Sequence, residues 1–216
     1  VASVRFANRD LNEEQRDAVQ KIVQGELRPL PYIIYGPPGT GKTTATVEAI
    51  YQLAKHPDCL RILAVTPSNA AADILVERLA QYFPPSAFEM RRILAYSRSL
   101  DDLPSAVKPY ASDDRTSEGQ KLEVLTALIV VSTVNLAARF SRWGIPKGHF
   151  DVLCVDEAGQ ATEPEVVAVA SSLMDFFPDD KQHIPIAQMI LAGDPKQLGP
   201  VMTSSLCKKL GLGISY

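Results

Sequence analysis

The residues able to do chemistry fall in short, separated clusters. Gly36-Pro37-Pro38-Gly39-Thr40-Gly41-Lys42-Thr43 is a complete G-x-x-x-x-G-K-[ST] pattern, followed by Thr44. Glycines at this spacing leave backbone N–H groups free to wrap phosphate oxygens, a helix opening at Lys42 adds positive potential, and the lysine ammonium reaches the β and γ phosphates. The Thr43 hydroxyl suits Mg²⁺. A second cluster, Val152-Leu-Cys-Val-Asp156-Glu157, is an apolar run ending in two carboxylates. Asp156 suits Mg²⁺, directly or through water, and Glu157 suits orienting and deprotonating an attacking water. If the strand persists through both, they point to opposite sides of the pleat. Paired carboxylates at a strand end can also be plain solvated charges; the complete phosphate loop upstream favours the metal-and-base reading.

Such groups need a scaffold whose strands end together. Apolar, largely β-branched runs at Tyr32–Tyr35, Ile62–Thr66, Leu128–Ser132, Asp151–Asp156 and Ala187–Ala192 read as strands buried on both faces of a parallel sheet, with Arg91–Ala95 a weaker sixth. Helical patterns lie between them at Asn12–Gln24, Lys42–Ala54, Asn69–Tyr82, where Ile74, Leu75, Leu79 and Tyr82 form the apolar side, and Pro164–Met174. This alternation predicts a doubly wound α/β fold with a mostly parallel sheet flanked by helices. The five clear strands end at the phosphate loop, Thr66-Pro-Ser68-Asn69, Ser132-Thr133-Val-Asn135, Asp156-Glu157 and Gly193-Asp194-Pro195-Lys-Gln197. In parallel sheets functional loops gather at the carboxyl edge, so these five segments are expected along one edge. Two polar segments break the alternation: Tyr96–Leu122, an insertion or mobile loop, and Asp175–Pro185, a solvated surface loop.

Composition narrows the function classes. With 46% hydrophobic and 22% charged residues, the 216-residue chain can bury one sizeable core, which excludes a disordered, collagen-like or coiled-coil protein. The longest uncharged stretch, Val124 to Ala138, is shorter than the roughly 20 residues of a membrane helix. A net charge of −3 argues against a broad cationic surface, so any nucleic-acid contact is local. Cys59, Cys154 and Cys207 show no C-x-x-C spacing, and His56, His149 and His183 no ligand spacing. Neither a disulfide framework nor a zinc site is indicated, and a reducing intracellular compartment is expected. The start at Val1 and the unclosed end suggest a piece of a longer protein.

Five segments in order, Leu11-Asn-Glu-Glu-Gln15-Arg-Asp-Ala-Val19, the phosphate loop, Thr66-Pro-Ser-Asn-Ala-Ala-Ala-Asp73, Asp156-Glu-Ala-Gly-Gln160 and Gly193-Asp-Pro-Lys-Gln-Leu-Gly-Pro200, resemble the motifs of superfamily 1 helicases of the up-frameshift branch. Within it the ending Leu191–Val201 and Leu210-Gly-Leu-Gly213 is similar to the Armitage and Moloney-leukaemia-virus-resistance group of RNA-silencing helicases. The resemblance implies a first RecA-like motor domain covering residues 1–216, ATP and Mg²⁺ as cofactors, and single-stranded RNA, or DNA, as partner. It also implies 5′-to-3′ translocation by the intact protein and a cytoplasmic role in RNA silencing or turnover.

Carried over, Gln15 resembles the glutamine that reads adenine, whose N6/N7 edge a carboxamide can pair bidentately. Gln197 resembles the glutamine that touches the γ-phosphate, with Asp194 and Pro195 setting its loop. Ser68, Asn69, Ser132 and Thr133 resemble segments that hold a single strand by its phosphates, although Ser-Asn before Ala-Ala-Ala is also an ordinary helix cap. The family's second RecA-like domain, whose arginines complete the ATPase site, is absent from this sequence, so the domain alone is expected to be nearly inactive. No arginine follows Trp143. The earlier arginines fall on segments assigned elsewhere, and none is an obvious finger unless the fold brings one close. The rival readings are a superfamily 1 DNA helicase and a P-loop NTPase switch that does not translocate.

Overall fold

The computed structural model describes residues 4–58, 60–87, 89–112, 114, 116–177, 187–201 and 204–212. Six strands, β1 Tyr32–Tyr35, β2 Ile62–Thr66, β3 Met90–Arg92, β4 Ile129–Thr133, β5 Val152–Asp156 and β6 Gln188–Gly193, form one sheet in the order β1-β6-β5-β2-β4-β3. Every pairing is parallel. In β2 Ile62 and Ala64 face one layer of helices while Leu63 and Val65 face the other, and all four are buried. On the first side lie α1 (Glu13–Gln24), α2 (Lys42–Ala54) and α3 (Asn69–Leu79), packing Val19, Ile22, Ile50, Leu53 and Leu75 onto the sheet. On the second lie α4 (Ser117–Thr126), α5 (Val134–Ala137) and α6 (Glu163–Leu173), which supply Val124, Val134, Val166 and Leu173.

Short signals set the helix ends. Asn12 caps α1 through the Gln15 N–H while Gln15 answers through the Asn12 N–H, and Gly25 stops the helix in the left-handed conformation. Thr162 and Glu165 form the same reciprocal box on α6. Ser68 and Thr116 cap α3 and α4.

Several sequence expectations need correction. The strand β1 is not buried on both faces: it is an edge strand paired only with β6, and Ile33 and Tyr35 are 66% and 54% exposed, with no helix of the described residues covering that side. The helix α3 ends at Leu79, and Ile74 faces solvent. The segment 96–122, expected as an insertion or mobile loop, packs part of its described residues into the core. Leu103, Val107 and Tyr110 are buried in the first core, the Tyr110 hydroxyl donates to the Phe83 carbonyl, and α4 begins within it. Three apolar residues at helical spacing among many polar ones gave too weak a pattern for the sequence to display. Of the other polar loop, residues 178–186 lie outside the described residues, as do Cys59 and His183. His149 is structural, with Nε2 3.1 Å from the Val124 carbonyl and Nδ1 3.1 Å from Arg61.

A charged network ties α3 to β3. Arg92, 1% exposed, donates to Asp73 Oδ1 at 3.1 Å, to the Ile93 carbonyl at 2.7 Å and to Asn69 Oδ1 at 3.0 Å, and Arg98 closes on the other side of Asp73. Removing Arg92 leaves Asp73 to Arg98 alone and takes the donor from the Ile93 carbonyl and Asn69 Oδ1. Arg92→Met is therefore expected to cost about 3–5 kcal/mol, and adding Asp73→Asn to it to cost less than the sum of the single changes. Urea unfolding of the two single variants and the double variant checks this; strictly additive losses would contradict a coupled network.

Candidate functional site

Because all six strands run the same way, their carboxyl ends share one edge, and the loops leaving β1, β5 and β6 meet there. The phosphate loop is held by its own side chains. Thr40 Oγ1 donates to the Pro37 carbonyl at 2.8 Å, and the Lys42 ammonium folds onto the Gly36 and Pro37 carbonyls at 2.6 and 3.2 Å. Gly41 has φ 80°, a left-handed conformation, and a Cβ there would collide with the Gln15 amide. It caps α2 without a side chain, leaving the first N–H groups of that helix for a ligand.

Two pockets open from this loop and share Gly41 and Lys42. One, of about 160 Å³, is lined by Asn12, Gln15, Tyr35 and Thr40. The Gln15 carboxamide links α1 to the loop: its Oε1 accepts from the Asn12 N–H and its Nε2 donates to the Thr40 carbonyl, both at 3.0 Å. One N–H and one lone pair are left over, enough for a bidentate base contact. The other pocket, of about 360 Å³, is lined by Pro38, Gly39, Thr43, Thr44, Arg78, Glu157 and Gln197.

The two carboxylates do not continue one strand. Asp156 ends β5, while Glu157 turns into the left-handed region with φ 57°, so the pleat argument for opposite faces fails. Such a conformation costs a side-chain-bearing residue on the order of 1 kcal/mol and aims Glu157 into the pocket, where its carboxylate accepts from Gln160 at 3.3 Å. Asp156 is 3% exposed. Burial, and next the charge of Glu157, push its carboxyl up to about 6, against the Thr43 hydroxyl, the Glu157 N–H and the charge of Arg78. A buried carboxylate beside a threonine hydroxyl offers hard oxygens, which fit Mg²⁺ when phosphate and water complete its shell. Among the described residues no cluster of three or more His, Cys, Asp or Glu could hold a metal alone.

The loops after β5 and β6 touch backbone to backbone. A Cβ on Gly159 would lie 2.8 Å from the Asp194 carbonyl oxygen, and one on Gly193 would lie 2.8 Å from the Gly159 nitrogen. Buried Asp194 shapes its loop, accepting from the Lys196 N–H at 2.9 Å and the Gln197 amide at 3.4 Å. Gln197 thereby lines both the second pocket and an adjoining groove of about 480 Å³ that holds Ser68, Asn135, Gln160, Thr162 and Leu198.

The candidate strand-binding residues separate here. Ser68 is exposed in the groove while its Oγ caps α3 at the Ala71 N–H, so cap and groove wall coexist. Asn69 is exposed, with Oδ1 taken by Arg92. Ser132 is fully buried on β4 and cannot reach a phosphate; it shares the sheet face of Val130, which the second helix layer covers. Thr133 is half-buried at the start of α5, and Asn135 takes the groove position instead. Sequence reasoning missed Asn135, Arg78 and the Gly159–Gly193 contact. Asn135 stands in the polar segment that ends β4, whereas nothing local marks Arg78.

The folded Asp156 pKa stands above the unfolded value of about 4, so the folded chain keeps a proton that the unfolded chain releases. Stability therefore falls as pH rises from about 4 to about 6 and stays lower above that. Asp156→Asn in magnesium-free buffer is expected to stabilise the chain by about 1–3 kcal/mol at pH 8, a gain that shrinks toward pH 4. Urea unfolding at both pH values tests this; a gain independent of pH would mean that Asp156 is not a costly buried charge.

Comparison with known proteins agrees with this geometry. A family model described as an AAA domain, AAA_11, matches residues 10–122 and 95–205. MOV-10 of Gallus gallus is 42% identical over 211 residues, 95% of this chain and 21% of that protein. The RNA helicase Mov10l1 of Homo sapiens is 39% identical over 99% of this chain and 16% of its own, and the "Probable RNA helicase armi" of Drosophila melanogaster is 33% identical over 100% and 19%. The chain thus spans about a fifth of the length of these curated relatives. Among solved structures, the UvsW helicase of bacteriophage T4 superposes with a TM-score of 0.55 at 18% identity, over 88% of this chain and 56% of that one, a likeness of RecA-like fold. With the family model matched across most of its length, the chain belongs to the AAA domain family, on the MOV-10 and Armitage side of its up-frameshift-like branch.

Proposed function

We propose that this chain is the first RecA-like motor domain of an ATP-dependent RNA helicase. The observation that carries the reading is the convergence of Lys42, Thr43, Glu157 and Gln197 on one pocket, with Asp156 behind Thr43 and the strand-sized groove sharing Gln197. Relatives bearing the name RNA helicase support RNA as the strand. Gly36, Pro37, Pro38, Gly39, Thr40, Gly41 and Thr44 form the phosphate cradle, and Lys42 leaves its loop carbonyls for the β and γ oxygens. Thr43 and Asp156 would hold Mg²⁺, whose charge would offset that of the phosphates. Glu157 takes the proton of the attacking water, Gln197 meets the γ-phosphate side, and Gln15 meets the adenine edge. Ser68 and Asn135 face the strand, with Thr133 half-buried next to them and Asn69 tied to Arg92. Like the family it resembles, the intact protein works with a second RecA-like domain, moves 5′-to-3′ and serves RNA silencing or turnover in the cytoplasm.

The test is the ATPase rate of the full-length protein with matched RNA and DNA strands. Stimulation by RNA well beyond DNA is expected, and stimulation by neither would retire a translocating motor in favour of a switch. In the same assay Glu157→Gln should bind ATP within a few-fold of wild type and lose roughly 10²-fold or more in turnover; an unchanged rate would remove Glu157 from this role. Adenine nucleotides should be preferred over guanine by about 1–3 kcal/mol, since guanine sets an acceptor where adenine sets a donor. Competition of ATP with GTP, in wild type and Gln15→Ala, decides it. An equal preference in both proteins would free Gln15 of base reading.

A further inference from the structure

The second pocket contains a cation that no phosphate-loop pattern requires. Arg78 rises from the last turn of α3, an element that starts at a different strand end, and lines the same wall as Thr43, Glu157 and Gln197. The adjoining pocket that holds Gln15 and Tyr35 includes none of Arg78, Glu157 or Gln197. Arg78 thus lines the part of the site that holds Glu157 and Gln197, and not the part that holds Gln15. Among the described residues Arg78 has no hydrogen bond or ion pair, whereas Arg92 and Arg98 are bound to Asp73 and Arg16 to the Arg9 carbonyl. Its charge nonetheless reaches the Asp156 carboxyl. An exposed guanidinium with five donors and no hydrogen-bond partner among the described residues, facing a pocket that already holds the ammonium of Lys42, is complementary to a group bearing several anionic oxygens.

Resting on the nucleotide reading above, we propose that Arg78 binds the terminal phosphate of a nucleoside triphosphate in cis, and so discriminates triphosphate from diphosphate within this domain. The Lys42 ammonium and the loop N–H groups serve oxygens common to both nucleotides; Arg78 serves the oxygens that only the triphosphate carries. An arginine in the last turn of a helix also suits the negative end of the helix dipole. That role would alter stability and leave nucleotide selectivity untouched, so the two roles separate experimentally.

The experiment measures binding of Mg-ADP and of a Mg-ATP analogue with a non-hydrolysable β–γ bridge to this chain and to its Arg78→Ala, Arg78→Gln, Arg78→Lys and Lys42→Ala variants. Circular dichroism confirms each fold. Expected is a loss of roughly tenfold or more in analogue affinity for Arg78→Ala and Arg78→Gln, ADP affinity within about twofold of wild type, and partial recovery in Arg78→Lys. Lys42→Ala should lose both nucleotides. If the Arg78 variants bind the analogue as tightly as wild type, or lose both nucleotides equally, while Lys42→Ala still abolishes binding, the proposal for Arg78 is wrong and the site stands. If Lys42→Ala binds both nucleotides normally, the nucleotide site itself is misassigned. Should Arg78→Ala fail to fold, the ratio of analogue to ADP affinity in Arg78→Gln and Arg78→Lys decides between the same outcomes.

Discussion

The parallel ladder of β1, β6 and β5 is the constraint on which the site depends. It pairs Tyr35 with Gly193 and Asp156 with Ala192, so three loops leave the sheet at one level. Parallel pairing cannot be closed by tight turns and requires crossovers, which here place helices on both faces and bury the ladder. Groups far apart in sequence, Lys42, Asp156 and Gln197, are thereby brought to one edge with no hydrogen bond or ion pair between their side chains. A one-residue slip of β5 would turn the Asp156 side of the strand toward the opposite helix layer.

What the sequence made legible followed from local rules. β-branched runs marked the strands, Asn12 with Gln15 and Ser68 marked helix starts, and the glycine spacing marked the phosphate loop. The sequence could not show where a strand stops mattering. Glu157 leaves β5 through a left-handed turn that no residue preference announces. Nor could it show which hydroxyl of Ser132-Thr133 is sealed in the sheet, because burial of Ser132 depends on the helix layer packed over its face of β4. Arg78 was hidden for a different reason: its surroundings are set by the packing of α3 beside α2, a relation between elements rather than within one.

Two kinds of order support the candidate site. Behind Ser68 and Asn69 the buried Arg92–Asp73 pair fixes α3, and Asn69 is fastened to it. At the pocket itself the groups are less fully satisfied: Lys42 bonds loop carbonyls in place of phosphate, and Asp156 is buried against its preference for water. The scaffold holds its charges in mutual pairs, and the site holds its charges open toward a ligand. A fold with this division is stable where it must be rigid and costly where it must bind.

The contact between Gly159 and the Gly193–Asp194 backbone has a mechanical side. Side chains can absorb a displacement by changing rotamer, but two peptide planes at van der Waals distance have no rotamer to change. The Glu157–Gln160 turn and the loop carrying Gln197 therefore fit together like two meshed teeth. The clearance is smaller than a methyl group. Through it the turns that wall the 360 Å³ pocket and the 480 Å³ groove are joined backbone to backbone.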